Sequence, residues 1–167
     1  MFEELENKVV LITGAATGIG KSIAENFGKA KAKVVINYRS DRHHDEIEEI
    51  KQTVAKFGGQ TLVVQGDVSI EEDIKRMIET TINHFGTLDI IINNAGFENS
   101  IPTHEMSIDD WQKVIDINLT GAFVGSREAI NQFLKENKKG TIINISSVHD
   151  TIPVSYTHLT LPTSDLV

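Results

Sequence analysis

The stretch Thr13-Gly14-Ala15-Ala16-Thr17-Gly18-Ile19-Gly20 decides the fold of this chain. It follows the apolar run Lys8-Val9-Val10-Leu11-Ile12, which predicts a buried strand, and it leads directly into a helical pattern. The unpaired N–H groups of a first helical turn and the helix dipole both favour a bound anion. A strand, a glycine-rich turn and a helix N-terminus in this order therefore predict a site for the phosphates of a dinucleotide.

The glycines of this stretch have separate roles in the prediction. Gly14 permits the tight turn, Gly18 lets a pyrophosphate approach the backbone, and Gly20 lets the helix pack closely on the strand. Their spacing, G-x-x-x-G-x-G, differs from the G-x-G-x-x-G of the commonest dinucleotide fingerprint. Together with Thr17 and Ile19 they are candidate cofactor-binding residues. The alternative is a glycine-rich turn that binds no ligand.

Strands and helices alternate along the rest of the chain. Four more apolar runs predict strands at 33–38, 61–64, 88–93 and 141–146. Helical patterns separate them, and capping residues are predicted at Ser69 and Ser107. Parallel strands joined by helical crossovers form an α/β fold, a doubly wound parallel sheet of the Rossmann type. Ligands of such sheets bind outside the carboxyl ends of the strands.

Composition argues against several classes of function. The 167 residues include 16 Lys and Arg against 24 Asp and Glu, and the net charge of −8 argues against nucleic-acid binding. The chain has no cysteine, and His43, His44 and His104 are not spaced with carboxylates as metal ligands, so we expect no metal site. No apolar run approaches a membrane span, and the acidic N-terminus has no signal-peptide core. We therefore expect a cytoplasmic protein that binds neither membrane nor nucleic acid.

The run Asn93-Asn94-Ala95-Gly96 follows the fourth predicted strand. Its small residues let the backbone pass close to a ligand, and its amides can fix the turn. Asn94, Ala95 and Gly96 are therefore further cofactor-binding candidates. The alternative is that the amides only hold the end of the strand.

The second and third strand ends offer contacts to the nucleoside part of a cofactor. The second ends in Asn37-Tyr38-Arg39-Ser40, without the acidic residue that binds the ribose of NAD. Arg39 can pair with a 2′-phosphate and Ser40 can donate to it, which favours NADP or the use of both NADP and NAD. At the third strand end, Asp67 can accept from an adenine amino group while Val68 packs beside the ring. The alternatives are a solvated Arg39 and a turn-capping Asp67.

Together these motifs resemble the short-chain dehydrogenase/reductase family. The resemblance rests on 13–20, on 93–96, on Asn118 within Asp116-Ile117-Asn118-Leu119-Thr120-Gly121, and on Ser146-Ser147 after the fifth strand. It covers the chain from Val9 to about Pro153. Within the family the chain is most similar to the bacterial glucose 1-dehydrogenases, through NNAGFEN at 93–99, DWQKVIDINLTGAFVGSREAI at 110–130 and GTIINISSVHD at 140–150.

This resemblance implies an NAD(P)-dependent oxidoreductase that oxidises D-glucose at C1 to the lactone. It also implies a homo-oligomeric parent enzyme with a small-molecule substrate, an aldose. Two alternatives stay open. One is another short-chain reductase, acting on 3-oxoacyl, steroid or polyol substrates, and the other is a non-catalytic dinucleotide-binding module.

The resemblance further implies roles for individual residues. Ser147 would hydrogen-bond the reacting oxygen of the substrate. Asn118 would break the regularity of its helix and help to hold a water and the catalytic lysine. Glu98 and His149 lie where a polyol substrate would need polar partners. The alternatives are a strand-end cap for Ser147 and a surface position for His149.

The catalytic base of the family is missing from this chain. The family uses a Tyr-x-x-x-Lys pair, because a free tyrosine, with a pKa of about 10, is a poor base at neutral pH without a nearby cation. Tyr156 lies only nine residues after Ser147, and Thr160 stands at the position of the Lys. Alignment on the serine instead places the pair near Thr160 and Ser164. We therefore expect the chain as written to be inactive.

The last residues of the chain predict a boundary at which the resemblance to the family ends. From about Val154 the chain no longer resembles the family, and residues 154–159 can be encoded by GTCTCTTATACACATCT, which resembles the end of a transposon-based sequencing adaptor. We expect an incomplete NAD(P)-binding Rossmann domain at 1–153, a non-homologous tail at 154–167, and hence a C-terminally truncated enzyme. Truncation would leave Trp111, Ile115 and Phe123 of the long helix short of cover and make oligomer assembly doubtful. The rival is a short protein with a divergent tail.

Overall fold

A five-stranded parallel sheet forms the centre of the structure, a computed structural model that describes residues 3–147. Its order is β3-β2-β1-β4-β5, and every neighbouring pair of strands is parallel. The chain starts at the central strand, fills one side of the sheet and then crosses to the other, which confirms the predicted doubly wound α/β fold. The strands are β1 (Val9–Ile12), β2 (Lys33–Tyr38), β3 (Gln60–Gln65), β4 (Ile90–Asn93) and β5 (Thr141–Asn144).

Helices connect the strands and cover both faces of the sheet. The last two are joined without a break by a π-helical segment, so the irregularity expected around Asn118 is present in the structure. Short 3-10 turns precede β1 and the second helix, at Glu3–Leu5 and Asp41–His43. The helices are α1 (Gly18–Lys29), α2 (His44–Lys56), α3 (Glu71–Phe85), α4 (Ile108–Ile115) and α5 (Gly121–Lys135), and the π-helical segment is Asp116–Thr120.

Alternate residues of β1 pack against opposite helical layers. Val10 and Ile12 belong to the core shared with α1 and α2, whereas Val9 and Leu11 belong to the core shared with α3 and α5. All four side chains are at most 1% exposed. A strand covered on both faces needs apolar residues throughout, which is why the unbroken run in the sequence predicted a buried strand correctly.

Both predicted helices begin close to their predicted caps, but only one of the two caps is confirmed. Ser69 donates from its N–H and from Oγ to Asp67 Oδ1, at 2.9 and 2.7 Å, and Ile70 takes the N-cap position of α3. The capping box predicted at Ser69 is therefore absent, because its hydroxyl serves the preceding turn. At the start of α4, Ser107 Oγ accepts from the Asp110 N–H at 3.1 Å, as predicted.

The outer face of α4 and α5 exposes apolar side chains. Trp111 is 39% exposed, Phe123 59% and Leu134 73%, while Ile115 is half-buried. Exposed apolar surface of this kind marks a contact region or favours aggregation. None of the helices within residues 3–147 is both long and apolar enough to cross a bilayer.

Replacement of a leucine in β1 tests the assignment of the core. Leu11→Ala removes a side chain with no exposed surface and should lower the free energy of unfolding by about 2–5 kcal/mol. Leu134→Ala is the matched control and should change it by less than about 0.5 kcal/mol. Chemical denaturation followed by circular dichroism measures both, and equal losses would contradict the two-layer core described here.

Candidate functional site

A cleft of about 460 Å³ opens at the carboxyl edge of the sheet. The loops that follow β1, β2, β3 and β4 all contribute to it, together with Ile117 from the π-helical segment. Every candidate cofactor-binding residue except Gly18 lines this cleft. Its lining comprises Gly14, Ala16, Thr17, Ile19, Gly20, Asn37, Tyr38, Arg39, Ser40, Arg42, His43, Gly66, Asp67, Val68, Asn94, Ala95, Gly96, Phe97 and Ile117.

Thr13 and Asn94 tie the loop after β1 to the loop after β4. Thr13 Oγ1 accepts from the N–H groups of Asn94 and Ala95, at 2.9 and 3.0 Å. The Asn94 side chain donates from Nδ2 to the carbonyl oxygens of Thr13 and Gly14, at 2.9 and 3.2 Å. Of the two interpretations of Asn94, these contacts match the one in which its amide holds the strand end.

Asn37 makes the corresponding connection on the other side of β1, and sequence reasoning missed this role. Its side chain is buried, with Oδ1 accepting from the Gly14 N–H at 3.1 Å. Its Nδ2 donates to the carbonyl oxygens of Gly66 and Val64, at 3.0 and 3.3 Å, and its own carbonyl accepts from the Ala15 N–H at 2.8 Å. A polar residue inside the apolar run of β2 is the sequence signal that could have pointed to it.

The loop after β1 leaves no room for side chains at two glycines. Gly14 has φ +61°, and an added Cβ would lie 3.0 Å from Ala95 Cα. At Gly20 an added Cβ would lie 2.4 Å from the Gly14 carbonyl oxygen and 2.6 Å from Asn94 Nδ2. These contacts bring the start of α1 directly against the end of β1, the arrangement predicted for Gly20.

The start of α1 presents backbone N–H groups to the cleft. The first hydrogen bond recorded inside the helix is donated by the Lys21 N–H to the Thr17 carbonyl, at 3.1 Å. The Thr17 side chain makes no capping bond, so it does not occupy the donors of the first turn. Thr17, Ile19 and Gly20 line the cleft, and a phosphate fits their position because N–H groups and the helix dipole both attract an anion. Gly18 has φ +56° and open space around its missing Cβ.

Asp67 takes part in a turn and also faces a cation. Its Oδ1 accepts both hydrogen bonds from Ser69, which matches the turn-capping interpretation, while its Oδ2 lies 3.9 Å from Arg39 Nη1. Its backbone N–H donates to Asp73 Oδ2 at 2.8 Å. That bond, followed by the Arg76 guanidinium, holds the pKa of the Asp73 carboxyl below its usual range. The turn that carries Asp67 is therefore fixed by a charged acceptor.

Asn118 connects the π-helical segment to the loop after β4. Its Oδ1 accepts from the Phe97 N–H and its Nδ2 donates to the Phe97 carbonyl, both at 2.8 Å. The Asn118 amide thus pairs with both the N–H and the carbonyl of Phe97, as the backbone of a neighbouring β-strand would. Phe97 and Ile117, which sequence reasoning missed, bring apolar surface to the cleft.

Two of the three candidate substrate residues lie within the part of the chain that the structure describes. Ser147 follows β5 at the carboxyl edge, and Glu98 follows Phe97. Both are exposed, and neither is among the lining residues. His149 lies outside the described residues. Asn93, at the end of β4, donates from Nδ2 to Asn144 Oδ1 at the end of β5, at 2.8 Å. The same nitrogen donates to Ser126 Oγ on α5 at 3.1 Å, so the ends of the two strands are joined to each other and to the helix. The roles of Ser147, Glu98 and His149 stay predictions.

Residues 3–147 contain no group of three or more His, Cys, Asp or Glu side chains that could hold a metal ion.

A sequence profile of the short chain dehydrogenase family matches residues 8–158. The chain belongs to the short chain dehydrogenase family. Members of this family are oxidoreductases that bind NAD or NADP, which agrees with the position of the cleft and with the motifs around it.

Characterised relatives and solved structures support the same assignment. Glucose 1-dehydrogenase 2 of Bacillus subtilis is 48% identical over 155 residues, which are 92% of this chain and 59% of that protein. The 3beta-hydroxysteroid dehydrogenase 1 of Eggerthella lenta is 42% identical over 153 residues, 92% of this chain and 58% of that protein. A short-chain type dehydrogenase/reductase from Mycobacterium marinum superposes with a TM-score of 0.84 at 31% identity, over 92% of this chain and 60% of that one. The chain thus spans about three fifths of the length of these short chain dehydrogenases.

An alanine at Gly20 tests the close approach of α1 to β1. Gly20→Ala forces a methyl group against the backbone oxygen of Gly14 and should lower the free energy of unfolding by about 1–3 kcal/mol. Gly96→Ala is the control within the same cleft, because the nearest atom to its added Cβ is Asn118 Oδ1 at 3.6 Å. It should change stability by less than about 0.5 kcal/mol. Thermal and urea unfolding measure both, and an unaffected Gly20→Ala would show that the two loops are further apart.

Proposed function

We propose that this chain binds NADP or NAD in the cleft and forms the nucleotide-binding part of a dehydrogenase that oxidises D-glucose at C1 to the lactone. The observation that carries the proposal is the meeting of four strand-end loops around the start of α1, where Gly14 and Gly20 exclude side chains. When bound, the nicotinamide accepts a hydride from the substrate carbon. The residues of this chain bind and orient the nucleotide and position the reacting oxygen.

The start of α1 and the loop after β1 would hold the pyrophosphate. Its negative charge would lie next to the N–H groups of the first helical turn. Val68, which is buried, and the turn at Asp67 would hold the adenine, and the loop at Asn94, Ala95 and Gly96 would pass beside the rest of the nucleotide. None of these contacts needs a metal ion.

Arg39 and Ser40 favour NADP or the use of both nucleotides. Arg39 is about half exposed and lines the cleft, so its guanidinium can reach a 2′-phosphate on the ribose. The Arg39 carbonyl accepts from Gln65 Nε2 at 3.2 Å, which holds the backbone of the loop against the end of β3. Asp67 Oδ2 lies close enough to attract Arg39 when the 2′-hydroxyl is not phosphorylated.

The choice of an aldose rests on the relative from Bacillus subtilis and on Glu98, which follows the cleft residue Phe97. The Asn118 amide bonds to both backbone polar groups of Phe97. Asn118, in the π-helical segment, therefore fixes the backbone immediately before Glu98. We propose that Glu98 and His149 bind sugar hydroxyls and that Ser147 donates to the reacting oxygen. A steroid alcohol is the second candidate substrate, and the 42% identity to the hydroxysteroid dehydrogenase favours it.

Asn118 is proposed as a positioning residue. The widened turn at Asp116–Thr120 frees helical backbone groups from the regular hydrogen-bond pattern. We propose that this turn helps to hold a water and the catalytic lysine, as the family resemblance implies. Without a Tyr-x-x-x-Lys pair, we propose that the chain as written binds nucleotide and does not turn over sugar. Cytoplasmic location and a homo-oligomeric parent belong to the same proposal.

Removal of the Arg39 side chain tests the cofactor assignment. Arg39→Ala should weaken NADP binding by about tenfold to a hundredfold and NAD binding by less than about twofold, because a charge-assisted contact contributes about 1.5–3 kcal/mol. Arg127→Ala, on α5 and in ion pairs with Glu71 and Glu128, controls for the loss of one arginine. Titration calorimetry gives both affinities, and equal weakening of the two nucleotides would show that Arg39 acts only by packing.

The substrate assignment is tested in a longer protein that carries the Tyr-x-x-x-Lys pair. It should oxidise D-glucose faster than simple secondary alcohols, whereas the chain as written should show no glucose-dependent reduction of NAD or NADP. Ser147→Ala should lower kcat by about a hundredfold or more, since an oriented donor acts mainly in the transition state. Glu98→Ala should mainly raise KM for glucose. Efficient reduction of ketosteroids or 3-oxoacyl thioesters with no activity on aldoses would contradict the glucose assignment.

A further inference from the structure

The outer edge of β5 is open within residues 3–147. Among the described strands, β5 is the last in the sheet order and pairs only with β4. The N–H groups of Thr141 and Ile145 donate to carbonyl oxygens on the β4 side, at 2.9 and 3.0 Å. Along a strand the backbone groups of successive residues point to opposite edges, so those of Ile142 and Asn144 point away from β4. They are available to another strand.

The two faces of β5 differ in how far they are covered. Ile142 packs against the core shared with α3 and α5. Ile143 points to the opposite face and is 37% exposed, and Ile145, two residues further on, lies on that same face and is also 37% exposed. An open edge with exposed isoleucines beside it is a surface to which a further strand can add.

Residues 140–146 lack the side chains by which proteins protect an edge strand from pairing. The stretch Gly-Thr-Ile-Ile-Asn-Ile-Ser contains no charged residue and no proline. The strand at the other edge of the sheet, β3, is covered on both faces, because Leu62 packs against one core and Val63 against the other. The exposed apolar face therefore distinguishes β5 from β3.

A second copy of this chain fits the open edge by charge and by hydrogen-bond pattern. With a net charge of −8, two copies repel each other in general, whereas residues 140–146 bring no charge to a contact. Two identical edges pair antiparallel about a twofold axis, the commonest symmetry of protein dimers. The register that pairs the whole run with itself is centred on Ile143. In it, Ile142 of one copy exchanges hydrogen bonds with Asn144 of the other.

We propose that two copies of this chain associate edge to edge through β5, so that their sheets form one continuous sheet. The two Ile143 side chains then meet at the twofold axis, in a pair of residues that is not hydrogen-bonded and whose side chains lie closest together. The contact is separate from the exposed outer face of α4 and α5. It does not depend on nucleotide binding, so either proposal can fail without the other.

Charge substitutions at the axis test this contact by sedimentation velocity of the full chain, which should be a dimer. Ile143→Lys should weaken dimerisation by about tenfold or more, because the apolar pair is lost and two like charges face each other. Ile143→Glu should do the same, and an equimolar mixture of the two variants should dimerise again, since opposite charges then meet. Leu134→Lys is the matched control, because Leu134 is 73% exposed on α5, and it should leave the dimer unchanged.

A cysteine at the axis gives a second test that keeps an uncharged side chain. The chain has no cysteine, so an introduced one can pair only with its copy. Opposed residues of such a pair have Cα atoms about 4.5 Å apart, which is within the range that a disulfide spans. Ile143→Cys should therefore form a covalent dimer under mild oxidation, seen on a non-reducing gel. Leu134→Cys should stay uncrosslinked under the same conditions.

Three other outcomes would overturn the proposal. The first is an unmodified chain that stays monomeric. The second is a dimer that survives Ile143→Lys and is lost in Leu134→Lys, or that crosslinks through Leu134→Cys instead, because the contact would then lie on α5. The third is the formation of open-ended oligomers, since a twofold contact closes after two copies.

Discussion

Side-chain amides hold the carboxyl edge of this sheet together, and the cleft depends on them. Parallel strands end with unpaired backbone groups, and a buried N–H or carbonyl without a partner costs about 1–3 kcal/mol. Asn37 and Asn94 supply those partners on the two sides of the loop after β1. Thr13 adds the hydroxyl that accepts from the loop after β4. Three loops that are distant in sequence are thereby fixed relative to each other before any ligand binds.

This arrangement separates the groups that build the cleft from the groups that can bind. The amides satisfy the carbonyls and the inner N–H groups of the loops, whereas the first turn of α1 receives no side-chain cap. Donors therefore remain where an anion can reach them. The same division recurs at Asn118, whose amide holds Phe97 at the edge of the cleft. Preorganised donors of this kind bind a ligand without an additional cost of ordering the loops.

The sequence predicted the elements that depend on local patterns. The run at 9–12 is apolar because both faces of β1 are covered, and the glycines of 13–20 mark a turn that leaves no room for side chains. It could not predict contacts whose partners lie in other strands. Asn37 bonds to groups 23 and 29 residues away, and its place inside an apolar run marks it as unusual without identifying those partners. At Ser69 a local pattern misled the prediction. The residues match a capping box, but the Ser69 hydroxyl donates to Asp67 and does not cap the helix.

The most direct measurement is the affinity of Asn37→Ala for ADP-ribose, the part common to both nucleotides, taken together with hydrogen exchange of the loop after β1. If the amide network builds the cleft, the amides of Gly14 and Ala15 should exchange faster in the variant. ADP-ribose affinity should fall by at least about tenfold, since about 1.4 kcal/mol of binding free energy corresponds to that factor. Exchange in α5 should stay unchanged. Wild-type affinity in a variant whose loop exchanges rapidly would contradict the account, because the loop would then not need to be held in advance.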